Sequence, residues 1–500
     1  MEKNNRILLI CLYNPKSLGT RYLEHALEEA GFEVWVLAFK KYRVFPVRPT
    51  DTEIQHLLSL IDKHDPLLIG FSLLSSFYLE VVIDICAKIK SKTPVPLVWG
   101  GTFPTLSPDR CLRHCDYVMR GESEGAIVEL AEKLRDGKSV YDVENLTFIK
   151  DGETVTNPLR MLVQDIDNLV MAQLGKQNKY YIESNKLLNI DVNQSSHNYE
   201  TSCSRGCPFA CSYCTSNGLR QLYKGSRYVR FRSVPNLIKE LRDAKERMRN
   251  LSTVYFYDEV FSSDLGWIDE FCESYKAEID LPFGIWAHPS MTNYDLISRL
   301  RKAGLFFVAL GVQSGSKTVR KEIFHRAGSN EQILSAAKAL VDTNVPLVKY
   351  EFIVHHPYEN VDELKETYEL CAQLPGRFTL RLLDLHYLPG AAISEKVVKD
   401  GFFSDEEMEK IMYAPIEEHY QIWWAKRTRN EEADFWIHLI FLTQFQFIKS
   451  KVKRLAEQGV CKKNSRKAKR YYKLCNILDR MWHLRQKGLA FLRGKTKLPV

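Results

Sequence analysis

The chain has 500 residues, of which 45% are hydrophobic and 26% are charged. This balance is typical of an ordinary soluble protein of two or three domains, and no apolar run reaches the roughly 20 residues that a membrane-spanning helix needs. The net charge of +8 comes from the C-terminal tail, because residues 449–500 hold 17 Lys and Arg against only Glu457 and Asp479.

Short apolar runs alternate with amphipathic segments over residues 5–137. The runs predict strands and the segments between them predict helices, the first of which ends before Gly31. The predicted strands cover residues 6–11, 33–37, 67–72, 96–101 and 116–120, and the predicted helices include 19–30 and 125–134. The alternation indicates an α/β fold with a doubly wound, Rossmann-like parallel sheet. Ligands of such sheets bind beyond the carboxyl ends of the strands.

Three cysteines with the spacing C-x3-C-x2-C follow in one short segment, at Cys207, Cys211 and Cys214. Iron–sulfur clusters are held by cysteine thiolates, usually four for a 4Fe-4S cube. Three ligands leave one iron open to a small molecule. The spacing therefore predicts a 4Fe-4S cluster that does chemistry rather than one that only supports the fold.

Other interpretations of these cysteines were weighed against the cluster. Zinc sites usually pair two C-x2-C halves, and no second half follows here. A disulfide is disfavoured because Met1-Glu-Lys-Asn-Asn-Arg6 leads straight into a predicted strand with no secretory signal, so that a reducing cytoplasm is expected. Cys203 is a fourth candidate ligand, and it would close the open iron.

Strand–helix alternation resumes over residues 195–395. Strands are predicted at 253–257, 283–286, 305–310, 348–354 and 380–385. Each is followed by polar or glycine residues, as in barrel enzymes, which place their active sites at that end of the strands. His355 and His356 follow one of these strands, and two roles were considered for them, namely a proton donor or substrate ligand and ordinary loop residues.

The C-terminal region, residues 396–500, is predicted to be helical. Residues 435–448 form an interrupted apolar run that predicts a buried or interfacial helix. Residues 462–473 are dense in Lys and Arg and are followed by apolar residues at helical spacing: Leu474, Ile477, Leu478, Met481, Trp482 and Leu484. This pattern is typical of a helix on an anionic membrane surface, although a solvated face on a packed helix gives the same pattern. Nucleic acid would use the same charges, but we favour the membrane.

The segment Gly206-Cys-Pro-Phe-Ala-Cys-Ser-Tyr-Cys214 resembles the signature of the radical S-adenosylmethionine (SAM) enzymes. The resemblance implies a partial (β/α)6 barrel of the TIM type and a cluster whose open iron binds SAM, which is cleaved to a 5'-deoxyadenosyl radical. It also implies the SAM contacts. Tyr213 would lie near the adenine, Asp258 and Glu259 near the amino group, and Gln313 and Ser314 near the ribose or carboxylate. The arginine that many relatives carry near Pro289 is absent.

The N-terminal strand ends resemble those of cobalamin-binding domains of the flavodoxin-like type, which show D-x-H-x-x-G, then S-x-L, then G-G. Asn14 and Lys16 stand in the Asp and His positions of the first pattern, so the histidine that would ligate cobalt is absent. Either no cobalamin binds, or it binds without that ligand, as in cobalamin-dependent radical enzymes, which share the segment Arg120-Gly-Glu-Ser-Glu124. The implied cobalamin contacts are Asn14, Ser72, Leu74, Gly100, Gly101, Thr102 and Glu122.

The sequence thus predicts a cobalamin-dependent radical SAM enzyme, with a C-methyltransferase acting on an unactivated carbon as the main hypothesis. An oxidative cyclase or rearranging enzyme with the same cofactors is the alternative, and an RNA- or membrane-bound module with a structural cluster is the hypothesis from another class. The expected partners are a small-molecule or lipid-like substrate and an electron donor such as flavodoxin or ferredoxin. A cytoplasmic, peripherally membrane-associated location is predicted. The predicted domains are 1–140, 195–395 and 396–500, with a linker at 141–194.

Overall fold

The computed structural model describes residues 4–42, 47–419 and 430–492. Its sheets comprise a nine-stranded N-terminal sheet, a six-stranded sheet in the middle of the chain and a two-stranded ribbon. Helices cover the sheets, and further helices make up the described C-terminal region.

The N-terminal domain contains the five parallel strands that the sequence predicts, in the order β5-β4-β3-β1-β2. Its elements are β1 (Arg6–Leu12), α1 (Leu18–Glu29), β2 (Glu33–Phe39), α2 (Asp51–His64), β3 (Leu68–Ser72), α3 (Leu79–Lys90), β4 (Leu97–Gly100), α4 (Thr102–Leu106), α5 (Pro108–Cys111), β5 (Tyr117–Met119) and α6 (Glu124–Arg135). Local chemistry sets the helix starts. The Ser17 hydroxyl caps α1, and a capping box between Thr50 and Glu53 begins α2. The flavodoxin-like prediction is confirmed.

The segment 141–194, which the sequence predicts to be a linker, contains four strands. They are β6 (Leu146–Lys150), β7 (Glu153–Thr156), β8 (Lys179–Glu183) and β9 (Lys186–Leu188). The first two extend the β5 edge in antiparallel fashion, and β8 pairs in parallel with β2 at the other edge. Strands this short carry too few alternating residues to be recognised by periodicity. Apolar residues within them, such as Phe148 of β6, become buried only when the strand pairs with the edge of the sheet.

The middle of the chain forms an open barrel of six parallel strands in the order β10-β13-β14-β15-β16-β17. Its elements are β10 (Asn198–Thr201), β11 (Ser204–Arg205), α7 (Thr215–Leu222), β12 (Arg230–Phe231), α8 (Val234–Arg247), β13 (Thr253–Phe256), α9 (Leu265–Glu278), β14 (Phe283–Ala287), α10 (Tyr294–Ala303), β15 (Leu305–Gln313), α11 (Asn330–Asp342), β16 (Leu347–Val354), α12 (Val361–Gln373) and β17 (Thr379–Asp384). The outer strand faces pack against the helices in one large apolar core. The partial (β/α)6 barrel is confirmed.

The described C-terminal region is helical, as predicted. It contains α13 (Ala392–Lys399), α14 (Asp405–Met412), α15 (Ile416–His419), α16 (Glu431–Leu442), α17 (Lys449–Gln458) and α18 (Lys462–Leu492). Helix α16 is buried, with Trp436 against Tyr368 of α12. The side chains of Met481, Trp482 and Leu484 lie outside the described residues. Within the described ranges, none of the helices combines the length and the apolar character needed to span a bilayer.

Candidate active site

The three predicted cluster cysteines line one cavity of about 180 Å³ at the carboxyl end of the barrel strands. Cys211 is buried, whereas Cys207 and Cys214 are half-buried. The turn that leads into the segment requires glycine at position 206, where φ is +88° and an added Cβ would lie 2.5 Å from the Tyr228 carbonyl oxygen. The loop therefore presents three thiols to a shared space.

The donor chemistry of this loop fits an iron–sulfur cluster. Burial raises the pKa of the Cys207 thiol to about 12, so this thiol stays neutral at pH 7 unless a metal binds it. Among the described side chains, no group of three or more His, Cys, Asp or Glu is placed to hold a single metal ion. A cube does not need such convergence, because each cysteine binds a different iron.

Cys203, the fourth candidate ligand, is not among the residues that line the cavity. Its thiol is fully buried and donates a hydrogen bond to Asp258 Oδ1 at 3.3 Å. Asp258 also accepts hydrogen bonds from the Cys203 backbone N–H and the Ser204 hydroxyl. Asp258 thus supports the start of the cysteine loop, and it does not line the cavity.

Three of the five predicted SAM contacts do line the thiol cavity, namely Tyr213, Glu259 and Gln313. Glu259 accepts a hydrogen bond from the Ser216 hydroxyl, and burial raises the pKa of its carboxyl group. A register shift between β15 and β16 lies next to Gln313, whose φ is +74°. The fifth, Ser314, is buried beside the cavity and accepts a hydrogen bond from the Ser316 backbone N–H.

Arg326 and His288 are among the cavity residues that were not predicted as site residues. Arg326 donates to the Tyr213 hydroxyl at 2.9 Å and to Cys211 Sγ at 3.5 Å. His288 stacks on Phe209 with ring centroids 3.9 Å apart, and burial lowers the pKa of its imidazole to about 3. His288 lies two residues after the predicted strand 283–286, which was a usable signal. Arg326 lies on a loop well beyond β15, where the sequence gives no such signal.

Neither His355 nor His356 lines the thiol cavity. The His355 Nδ1 atom lies 2.5 Å from Asp384 Oδ1, and its backbone N–H donates to Glu359. His356 is fully buried against Phe324, and burial lowers the pKa of its imidazole to about 3.

A second cavity of about 310 Å³ lies at the carboxyl edge of the N-terminal sheet. Four of the predicted cobalamin contacts line it: Ser72, Gly100, Gly101 and Glu122. At Gly101 φ is +106°, and an added Cβ would lie 2.6 Å from the Leu73 carbonyl oxygen. Gly101 is therefore required by the close approach of the Leu73 backbone. Together with Gly100 it forms a shelf without side chains on the cavity wall, which suits a large planar ligand.

The other three predicted cobalamin contacts do not line this cavity. The Asn14 carbonyl accepts from the Ser17 backbone N–H, Leu74 is 64% exposed, and Thr102 begins α4. Lys16, which replaces the cobalt-ligating histidine, donates to Glu200 of β10 at 3.0 Å. Its ammonium group is thus engaged by the barrel.

One segment connects the two cavities. Ser202 and Arg205 line the second cavity, and Cys207 of the first cavity follows two residues later. Arg205 donates to Glu124 at 2.7 Å, and Glu122 binds both Arg205 and the buried Arg230. These ion pairs fasten the cysteine loop to the N-terminal domain.

Two family models match the chain. The model of the radical SAM superfamily matches residues 201–371, and that of the B12 binding domain matches residues 7–131. The chain belongs to the radical SAM enzymes. More narrowly, it is a radical SAM enzyme with an N-terminal cobalamin-binding domain, and its cofactors are a 4Fe-4S cluster, SAM and cobalamin. The interpretation as a module with a structural cluster is therefore set aside.

Known proteins are similar to this chain at low identity. The uncharacterised methyltransferase PH0819 of Pyrococcus horikoshii is 24% identical over 359 residues, which cover 70% of this chain and 73% of that protein. The anaerobic magnesium-protoporphyrin IX monomethyl ester cyclase of Rubrivivax gelatinosus is 25% identical over 286 residues, 55% of this chain and 48% of the cyclase. The match thus spans about half of the cyclase.

Solved structures share the fold. The radical SAM methyltransferase TsrM of Kitasatospora setae superposes with a TM-score of 0.64 at 16% identity, over 79% of this chain and 76% of that one. The cobalamin-dependent SAM radical enzyme OxsB gives a TM-score of 0.60 at 16% identity, over 97% of this chain and 72% of that one. At this identity the likeness establishes the architecture.

Proposed function

We propose that the chain transfers a methyl group from SAM to an unactivated carbon of a small-molecule substrate. The observation that carries this proposal is the connection of the two cavities through residues 202–207. The thiol cavity and the glycine shelf are presented by one continuous segment that is fixed by ion pairs. Such a placement brings a radical-forming site and a methyl-carrying site together in one chain.

In this proposal the predicted residues keep their assignments where the geometry supports them. Cys207, Cys211 and Cys214 hold the cluster, and Tyr213, Glu259 and Gln313 contact SAM. The corrin rests on Ser72, Gly100, Gly101 and Glu122, whereas Asn14, Leu74 and Thr102 flank the shelf. When bound, SAM on the cluster supplies a 5'-deoxyadenosyl radical, and cobalamin carries the methyl group.

The other residues of the chain position these groups and keep water out. Arg326 ties Tyr213 to Cys211 and so fixes the adenine side of the thiol cavity. His288 stays neutral at physiological pH because it is buried. Asp258 and Ser314 hold the adjoining loops in place. These contacts give the site a fixed shape before its ligands arrive.

Electron supply and location are further parts of the proposal. Reduction of the cluster calls for a donor such as flavodoxin or ferredoxin. The outer face of α18 presents Arg466, Arg470 and Lys473 beside Leu474 and Ile477, all of them exposed. Cationic and apolar side chains on one face suit an anionic membrane surface, so we place the enzyme in the cytoplasm, peripheral to the membrane.

The test uses SAM with a CD3 methyl group. Anaerobically reconstituted enzyme, hydroxocobalamin and a strong reductant are incubated with a small-molecule extract, and a Cys214→Ala variant serves as the control. We expect one compound to gain a CD3 group in place of hydrogen in a cysteine-dependent manner. Loss of hydrogen or an isomeric product without CD3 would instead identify an oxidative cyclase or a rearranging enzyme.

A further inference from the structure

The inner face of the barrel holds a layer of side chains that the cofactors do not account for. Trp286, Ala309 and Lys349 are register partners on three neighbouring strands. The residues that alternate with them, such as Val308 and Val348, face the helices in the apolar core. Trp286 also lines the thiol cavity. This layer therefore adjoins the space assigned to SAM.

One side of the layer is an aromatic wall. Tyr257 stacks on Trp286, with ring centroids 4.4 Å apart and planes inclined by 27°. Tyr257 remains 48% exposed even though its ring stacks inside the barrel. The neighbouring Tyr255 has a buried hydroxyl group without a hydrogen-bond partner. A stacked pair with one open ring is a surface on which a further flat ring system can bind.

The middle of the layer is kept empty by small residues. Ala309 and Gly311 both line the thiol cavity and carry little or no side chain. At Gly284 an added Cβ would lie 2.7 Å from the Tyr255 ring and 2.8 Å from Phe307. Gly284 thus makes room for the rings of Tyr255 and Phe307, which pack edge to face. The result is an aromatic floor below an open space.

The opposite side of the layer is cationic. Lys349 Nζ lies 5.4 Å from the centre of the Phe307 ring, and no hydrogen bond or ion pair to Lys349 is found among the described residues. Burial and the nearby Arg381 lower the pKa of Lys349. Arg381 is paired with Glu351 at 3.3 Å. Lys349 is thus a partly buried cation with no hydrogen bond or ion pair of its own among the described residues, and the Glu351 carboxylate, which acts against the lowering of its pKa, is bound to Arg381.

We infer that this layer binds a planar conjugated substrate that carries a carboxylate. The ring system stacks on Tyr257 and Trp286, and the carboxylate binds Lys349. This places the substrate beside the thiol cavity, where a carbon of the ring system or its substituents meets the SAM-derived radical. The inference rests on the proposed function for the location of the radical chemistry, but the binding preference that it predicts does not depend on turnover.

The test compares two probes with the same ring system and nearly the same shape, the anionic 2-naphthoate and the neutral 2-naphthamide. Their binding to the reconstituted full-length holoenzyme with SAM is measured by calorimetry. We expect 2-naphthoate to bind about tenfold more tightly, because a charge-assisted hydrogen bond contributes about 1.4 kcal/mol or more. In Lys349→Met the preference disappears while 2-naphthamide still binds, and in Lys349→Arg it remains. Tyr257→Leu weakens both probes alike.

Lys338→Met is the matched control, since Lys338 lies exposed on α11 and pairs with Asp342. Equal binding of the two probes by the wild type would overturn the inference, and so would a preference that survives in Lys349→Met. If the preference holds but no methylated product forms in any assay, the substrate class stands and the methyl-transfer proposal fails. If CD3 transfer occurs without the probe preference, the methyl-transfer proposal stands and the inferred substrate class fails.

Discussion

At the scale of single residues, the four neighbouring cysteines divide into three that face a cavity and one that faces the core. The thiol of Cys203 is fully buried and bonded to Asp258, whereas the other three line the same space. We predict that Cys207→Ala, Cys211→Ala and Cys214→Ala each abolish the bound cluster, and that Cys203→Ala retains it. Iron and sulfide analysis with cluster absorbance measures this. Loss of the cluster in Cys203→Ala with the fold intact would show that Cys203 is a fourth ligand of the cluster.

Two adjacent acids, Asp258 and Glu259, have different surroundings, and we expect their replacement to impair different properties of the protein, stability and SAM binding respectively. Glu259 lines the thiol cavity, so Glu259→Gln removes a charged contact and should weaken SAM binding by roughly tenfold to a hundredfold. Asp258 accepts bonds from the loop backbone, so Asp258→Asn should instead lower the free energy of unfolding by about 1–3 kcal/mol. Equilibrium SAM binding and denaturant unfolding separate the two effects. Weaker SAM binding in Asp258→Asn and lower stability in Glu259→Gln would contradict this assignment.

The difference between these acids was available in the sequence, although a motif match alone did not reveal it. Side chains alternate across a strand, and Tyr255 and Tyr257 point into the barrel while Val254 and Phe256 join the outer core. Continued alternation places Glu259 inside. No comparable rule reaches Arg326, because its position depends on how a long loop folds back over the cavity.

At the scale of elements, the ribbon of β11 and β12 is the part that joins the cluster loop to the N-terminal domain. Arg205 and Arg230 are register partners in this ribbon, and both bind Glu122. Arg230 is only 1% exposed, so removal of its partner leaves a buried charge uncompensated. The Arg120–Glu124 segment thus acts as an attachment point.

We predict that Glu122→Gln destabilises this attachment by about 3 kcal/mol. Amide hydrogen exchange should accelerate at residues 202–207 and 228–232. Glu129→Gln, which breaks a partly exposed pair with Arg160, is the matched control and should leave these amides unchanged. Unchanged exchange in Glu122→Gln would show that the ion pairs do not hold the loop.

Strands were predictable from the sequence where they consist of apolar runs long enough to be recognised as buried. All five strands of the N-terminal parallel sheet were predicted within two residues at each end. Those at 141–194 were missed because they gain their burial by pairing with sheet edges, which a local pattern does not show. β10 was not predicted as a strand either, since only four residues, among them the polar Asn198 and Glu200, form it.

At the scale of the whole molecule, the positive charge collects on the last described helix. Arg466, Arg470 and Lys473 lie exposed on α18 beside exposed apolar residues. We predict that replacing all three by Gln weakens binding to phosphatidylserine-containing vesicles roughly a hundredfold, at about 1 kcal/mol for each charge. Vesicle sedimentation measures this, with phosphatidylcholine vesicles as the control. Equal binding to both vesicle types would show that the basic face is exposed to solvent and does not bind anionic lipid.

The central claim is that one chain uses SAM in two ways, as a radical source and as a methyl source. The most direct test counts 5'-deoxyadenosine and S-adenosylhomocysteine in the same anaerobic reaction as the methylated product forms. The account predicts both compounds in equal amounts, one of each per methyl group transferred. Formation of 5'-deoxyadenosine with product but without S-adenosylhomocysteine would contradict it.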